Sequence, residues 1–319
     1  MDKKITFISQ KHPSGVIPRN QLHMPVDVAQ QCLLKAVNIH YSQVESIKEK
    51  YDIAILLIPK TPSDRDELFK LDVVSMARKI ADKVWFMQEG PSWIFQDLPL
   101  HQQFWHYNVL AKVDGILCEN DTDIPYFKGL IGSKKPVKSI HSVMVEDSIH
   151  EYRNITKQPK VMIGGNFCRW YGGFDSYIIA REFDLPISAP SMGRRVQGEE
   201  QIENLTHYPY MNWNEWIKTL AEHKYAVHLM PTIAAGTFAM NCGFLGIPCI
   251  GYEEADTQRL IHPELSVKVG DVERARKLVE KLKDPIYYDE RSREAWGNYL
   301  RHFGEEQFHK YMREVFDLC

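Results

Sequence analysis

Short apolar runs alternate with amphipathic stretches along the chain. In the first half, Lys4–Ser9, Tyr51–Pro59, Val84–Met87, Gly115–Cys118 and Val137–His141 are apolar runs of strand length. Tyr51–Pro59, YDIAILLIP, is continuous rather than alternating, which marks a strand buried on both faces of a parallel sheet. Between these runs, Val26–Val37, Asp64–Ile80, His101–Ala111 and Asp121–Leu130 carry helical spacing. The polar stretch Met144–Gln158 interrupts the rhythm, which then restarts. Lys160–Gly164, Pro186–Ala189, Ala226–Met230, Cys249–Tyr252 and Val267–Val269 read as strands, and Phe174–Phe183, Asn212–Ala221 and Gly236–Leu245 as helices. Helices alone close the chain, at Val272–Lys283, Tyr288–Phe303 and Gly304–Phe316. The pattern predicts two doubly wound, Rossmann-like α/β domains, residues 1–150 and 151–319, with C-terminal helices. Ligands of open parallel sheets bind beyond the carboxyl ends of the strands, and two such domains in tandem are expected to face a cleft there. The residues just after strands therefore carry the chemistry.

Composition narrows the class. Of 319 residues, 44% are hydrophobic and 25% charged, with 39 Lys+Arg against 42 Asp+Glu, so a broadly cationic nucleic-acid coat is excluded. By halves, 1–150 holds 18 basic and 18 acidic residues, and 151–319 holds 21 and 24. The net −3 thus belongs to the second half. No run of about 18 apolar residues spans a membrane, and the N-terminal apolar run is too short for a signal peptide. Six scattered cysteines without a Cys-x-x-Cys pair argue against a zinc site or disulfide framework and for a reducing, cytoplasmic setting.

Two segments of the second half point to an anion site. In His228-Leu229-Met230-Pro231, followed by Thr232–Ala235 and Gly236-Thr237, a strand passes through small residues into a helix start. Free N–H groups and the helix dipole favour an anion there. In Ile163-Gly164-Gly165-Asn166-Phe167-Cys168-Arg169, an arginine follows a Gly-Gly strand end, and a second pair, Gly172-Gly173, precedes a helix. A guanidinium suits bidentate phosphate binding.

On these residues the second half resembles the donor domain of GT-B glycosyltransferases. Arg169 and Gly173 follow that superfamily's opening Gly-Arg…Gly turn. Pro231-Thr232, Gly236, Ala239-Met240, Gly246, Pro248 and Ile250 follow its later nucleotide-sugar segment. Tyr287-Tyr288-Asp289 before Arg291–Trp296 is also similar to its closing helices. The resemblance implies donor contacts at Gly15, Gly165, Arg169, Ser191, Gly193, Arg194, Pro231, Gly236 and Thr237. The loop Ser191-Met192-Gly193-Arg194-Arg195 would hold the nucleotide base, or its arginines the phosphates. Retaining members often carry two glutamates with seven residues between them. Here those positions hold Ile233 and Asn241, and no acidic residue lies between Glu222 and Glu253. Glu253 or Glu254 then stands in.

In such enzymes the first domain binds the acceptor and often supplies the base. Gln88-Glu89-Gly90-Pro91-Ser92-Trp93 follows a strand, and a carboxylate beside an aromatic there suits a general base. Phage DNA glucosyltransferases have a similar turn after the equivalent strand, with the glutamine shared. His12, Arg19, His23 and Trp93 are the candidate acceptor contacts, and Gly15 matches a glycine common in the first loop. Asp121-Thr122-Asp123 has the form of the GT-A metal motif, but it opens a helix and reads as N-capping.

The expected activity is a hexosyl- or pentosyltransferase moving a sugar from a nucleotide diphosphate sugar to an acceptor hydroxyl, with Glu89 and Arg169 catalytic. No essential metal is expected, though a divalent cation can shield the released diphosphate. The acceptor is a glycan, a small molecule or a hydroxymethylated DNA base; Lys134-Lys135, Lys138 and Arg194-Arg195 keep DNA open. The alternatives are a nucleotide-sugar epimerase of the same fold and a degenerate module that only binds its ligand.

Overall fold

The computed structural model describes residues 3–10, 14–21, 24–60, 65–132, 134–191 and 198–316. The chain forms two units, Met1–Gln21 with Pro25–Val145 and Phe308–Cys319, and Leu22–Met24 with Glu146–Gln307.

In the first unit the chain order is β1 (Ile5–Ser9), β2 (Gly15–Val16), α1 (Val26–Leu33), β3 (Val37–His40), β4 (Tyr51–Ile58), α2 (Arg65–Leu68), α3 (Val73–Arg78), β5 (Ala81–Gln88), α4 (Leu100–Lys112), β6 (Gly115–Cys118), α5 (Ile124–Ile131) and β7 (Val137–Ser139). Among the described residues the sheet runs β2-β3-β1-β4-β5-β6-β7. Only β2 is antiparallel, pairing Gly15 with Asn38. The run YDIAILLI is β4, at the middle of the sheet. Seven of its eight residues are buried, which explains why it lacks polar alternation. Two expectations give way here. The helix from Val26 stops at Leu33 because Lys35 turns to a φ of 50°, and Val37–His40 then pairs with β1 as a strand. The stretch from Asp64 to Ile80 holds two short helices instead of one.

The second unit repeats the plan with β8 (Gln158–Ile163), α6 (Gly173–Arg181), β9 (Ile187–Ala189), β10 (Leu205–His207), α7 (Trp213–Ala221), β11 (His223–His228), α8 (Thr237–Phe244), β12 (Cys249–Tyr252), α9 (Asp256–Ile261), β13 (Ser266–Val267), α10 (Val272–Leu282) and α11 (Pro285–His302). Its described strands are all parallel, in the order β10-β9-β8-β11-β12-β13. Local signals agree with these elements. Asn212 and Glu215 close a capping box on α7. Asp284 caps α11 and Pro285 opens it. A cluster of buried side chains lies in each unit, around Leu56, Ile58 and Phe86 in the first and around Val161, Ile163, Val227 and Ile250 in the second.

The last helix, α12 (Glu305–Phe316), starts in the second unit and ends in the first. The Lys3 ammonium donates to the Phe316 carbonyl, and the Phe316 ring meets Trp85 of β5 edge-on at 5.2 Å. The sequence pattern alone places this helix with the second domain.

Candidate functional site

Each sheet reverses its strand order once, between β1 and β4 in the first unit and between β8 and β11 in the second. In open α/β sheets such reversals mark the ligand crevice.

At the second reversal, three glycine-rich steps bring backbone close to backbone. Gly172, with a φ of 62°, precedes α6, and a Cβ there would lie 1.8 Å from the Leu229 carbonyl oxygen. Ser176 ties the same place together: its hydroxyl donates to the Gly172 carbonyl at 2.8 Å and accepts from the Leu229 N–H at 2.9 Å. Gly165 lies against Tyr171, and Pro231 touches the Gly172 position. The Cys168 carbonyl accepts from the N–H groups of Tyr171 and Gly172, forming a tight turn with Arg169 and Trp170 exposed on it. Arg169 makes no hydrogen bond or ion pair among the described residues.

Gly236, with a φ of 64°, sits before α8, where a Cβ would lie 1.9 Å from the Thr257 hydroxyl. No side chain caps α8, so its first N–H groups stay open for an acceptor. Around these turns, Asn166 Nδ2, His228 Nε2 and Thr257 Oγ1 are buried and lack partners among the described residues. Burial lowers the His228 pKa to about 4, so its ring is neutral at pH 7. Uncommitted donors, an open helix start and a free guanidinium together suit a polar anion.

Glu253 extends the ladder after β12, its N–H donating to Val267 at 2.9 Å, and its half-buried carboxylate has no partner among the described residues. Glu254 instead accepts from the Val269 N–H. Asn241, at one of the two family glutamate positions, is buried. Its amide, turned to satisfy both, bonds the Thr237 carbonyl and the Trp216 indole, so it serves the helix. Ser191 is half-buried. Gly193 and Arg194 lie outside the described residues, as do His12 and His23 of the first unit.

In the first unit, Gln88 is buried and explains the turn that follows β5. Its amide donates to the Pro91 carbonyl at 2.7 Å, and its Oε1 meets His106 Nε2 at 3.0 Å. His106 stacks on Phe95 at 3.9 Å, and burial lowers its pKa to about 3. A neutral His106 thus donates to Gln88 and braces the Glu89-Gly90 step. The Glu89 N–H extends the β4–β5 ladder to Ile58, which keeps Glu89 at the strand end, half-buried. Trp93 is half-buried in the same turn, Arg19 is exposed, and Gly15 lies on the sheet edge in β2.

The parallel register Met87↔Leu117, carried two residues on, sets Glu119 beside Glu89. The sequence reading missed Glu119, although it directly follows a strand. Burial first, then the charges of Glu89, Asp27 and Asp123, push its pKa up to about 8, with Lys60 opposing. Its ionised form is disfavoured in the folded state. The destabilisation is absent below the ordinary carboxylate pKa of about 4.3 and grows as pH rises from there towards about 8. Glu119→Gln is therefore expected to melt well above the wild type at pH 9, with the difference shrinking steadily towards pH 5. Equal melting temperatures across that range would remove this coupling. Asp121–Asp123 is a 3-10 turn leading into α5, and no side chain caps either element, which corrects the N-capping reading.

No family model matches the sequence, and no curated protein matches it. Solved structures do. Anabaena Alr3699/HepE in complex with UDP-glucose matches with a TM-score of 0.71 over 99% of this chain and 100% of that one, at 10% identity. Sucrose-phosphate synthase from Thermosynechococcus elongatus matches at 0.65 over 98% and 88%, at 12% identity. TarM matches at 0.63 and 10% identity over 87% of this chain, which spans 57% of TarM. Over nearly its whole length this chain shares the fold of these structures, the GT-B fold.

Proposed function

We propose that this protein is a glycosyltransferase that moves a sugar from a nucleotide diphosphate sugar to an acceptor hydroxyl. The observation that carries it is the pairing of the partner-free Arg169 with the uncapped start of α8, at the strand ends flanking the second sheet's reversal. The likeness to a protein in complex with UDP-glucose makes uridine diphosphate sugars the first donors to try.

In this reading the second unit, Glu146–Gln307 for the most part, binds the donor, and the first binds the acceptor. Gly165, Ser191, Gly193, Arg194, Pro231, Gly236, Thr237 and Glu253 surround the donor, and Arg169 and the α8 N–H groups stabilise the leaving diphosphate as its charge develops. The acceptor hydroxyl gives its proton to the Glu89 carboxylate. Its oxygen bonds to the anomeric carbon as the bond from that carbon to the phosphate oxygen breaks. Gly15, Arg19, Trp93, His12 and His23 are the contacts proposed for the first loop and turn. A divalent cation assists only by screening the released diphosphate. Among the described residues Cys32, Cys118, Cys168, Cys242 and Cys249 form no disulfide, and the compartment we propose is the cytoplasm. No described helix is long and apolar enough to cross a membrane.

Release of nucleoside diphosphate is the test, measured over UDP-glucose, UDP-galactose, UDP-N-acetylglucosamine and a UDP-pentose, with and without acceptors. Diphosphate release from one donor is expected, and its structure decides between hexosyl and pentosyl transfer. Binding without release would instead mark a degenerate module, the reading favoured by the loss of both family glutamates at Ile233 and Asn241. Conversion of the donor sugar with no release would mark an epimerase. DNA is the weaker acceptor class, because the Lys135 ammonium is already held by the carbonyls of Leu110 and Ala111. A salt series of gel shifts checks it, since phosphate contacts weaken steeply with salt.

A further inference from the structure

Helix α4 buries one side and leaves another side both apolar and exposed. Gln102, His106, Val109 and Leu110 are its buried residues. Leu100, Phe104 and Tyr107, at i, i+4 and i+7, share an outward side and are 66%, 58% and 44% exposed. Leu130 of α5, 37% exposed, continues that surface. Phe95, Leu100, Phe104, Tyr107, Tyr126 and Leu130 line a groove of about 340 Å³ between the two helices. The start of α4 is held in place, because the Gln103 amide donates to the carbonyls of Gln96 at 3.1 Å and Leu98 at 2.7 Å. Exposed apolar side chains grouped in this way mark contact with a partner or a membrane.

The charges beside the groove choose between these. Several cations of the first unit stand in ion pairs: Lys4 with Glu49, Lys70 with Glu67, Arg78 with Asp114, Lys79 with Glu45 and Lys112 with Asp72. Lys128 lies on α5 between Tyr126 and Leu130, and Lys134 follows shortly after the end of that helix. Both are exposed, and neither makes a hydrogen bond or ion pair among the described residues. No Asp or Glu occurs in residues 98–113 or 124–145, the stretches that carry the two helices. Exposed leucines and aromatic rings flanked by uncompensated lysines match an anionic bilayer. There the apolar groups enter the acyl boundary, and the ammonium groups meet phosphate headgroups. A nucleic-acid duplex would use the lysines but leave the apolar groove unfilled.

We propose that the α4–α5 face docks this protein on a membrane surface rich in anionic lipid. Leu100, Phe104, Tyr107 and Leu130 insert, Lys128 and Lys134 stay at headgroup level, and the groove receives part of an acyl chain. Attachment is peripheral, since no described helix is long and apolar enough to cross a bilayer. Docking of this kind is independent of the glycosyltransferase reading and needs no donor sugar.

The test is sedimentation of the full chain with vesicles of phosphatidylcholine alone and of equimolar phosphatidylcholine and phosphatidylglycerol. The wild type is expected to sediment with the anionic vesicles and to be released as salt rises. Leu100→Gln/Phe104→Gln should bind them roughly tenfold more weakly or worse, through loss of inserted apolar surface. Lys128→Glu/Lys134→Glu should lose roughly tenfold or more through charge alone. All four positions are exposed, so both variants should melt with the wild type. No sedimentation of the wild type with anionic vesicles, or equal binding by the wild type and either variant, would overturn the docking face. A wild-type dimer in solution that Leu100→Gln/Phe104→Gln dissociates would also overturn it, because a second copy would then fill the groove. Binding to duplex DNA without binding to anionic vesicles would overturn it as well and assign the lysines to nucleic acid.

Discussion

Replacing Arg169 with alanine is expected to lower turnover roughly 10²–10³-fold, the cost of removing one group aimed at charge that develops in the transition state. The fold should not register the change. Arg169 is exposed on the Cys168–Gly172 turn, without a hydrogen bond or ion pair among the described residues. Substitutions of that kind usually stay within about 0.5 kcal/mol. Activity and stability should therefore separate, which a structural arginine would not allow. Arg169→Lys should recover only part of the rate, because an ammonium keeps the charge but loses the planar fork that engages two phosphate oxygens. Initial rates of diphosphate release, with melting curves on the same samples, give both readings. A wild-type rate in the alanine variant would mean that the diphosphate is held elsewhere.

Gly172→Ala should produce the largest loss of stability, roughly 3 kcal/mol or more, from left-handed strain and a collision with backbone. The Cβ would lie 1.8 Å from the Leu229 carbonyl, and a carbonyl inside a β11-to-loop connection cannot swing aside as a side chain can. The second unit should melt roughly 5–10 °C lower, at a few degrees per kcal/mol for a domain of this size. Gly297 is the natural contrast. It lies within α11, and nothing surrounds its Cβ position. Gly297→Ala should stabilise by roughly 0.4–1 kcal/mol through loss of unfolded-state entropy. Melting temperatures of both variants opposite in sign are the expected result; a neutral Gly172→Ala would mean that the β8 and β11 loops are held apart.

What the sequence made legible was whatever depends on neighbours along the chain. The run at Tyr51–Pro59 declared a central parallel strand because burial on both faces leaves no room for polar alternation. The turns at Gly164–Gly173 and Pro231–Thr237 were visible because left-handed backbone needs glycine. Glu119 was not legible, although it directly follows a strand. Its significance comes from Glu89 on the adjacent strand and from Asp27, 92 positions earlier in the chain, and only the sheet brings them together. Asn241 illustrates the converse. Its alignment with a ligand-binding position says nothing of its inward bonds to Thr237 and Trp216.

The path of α12 has a consequence for how the chain acquires its structure. Phe316 supplies a carbonyl to Lys3 and a ring to Trp85, so the first sheet is completed by residues that follow nearly all of the second unit in the chain. During synthesis, domains fold as their segments emerge, the earlier ones first. Here the second unit, nearly continuous from Glu146 to Gln307, is free to fold while the first still lacks its closing helix. The order of maturation runs against the order of translation, and a ribosome stalled before residue 308 would hold a finished second unit beside an unlatched first one.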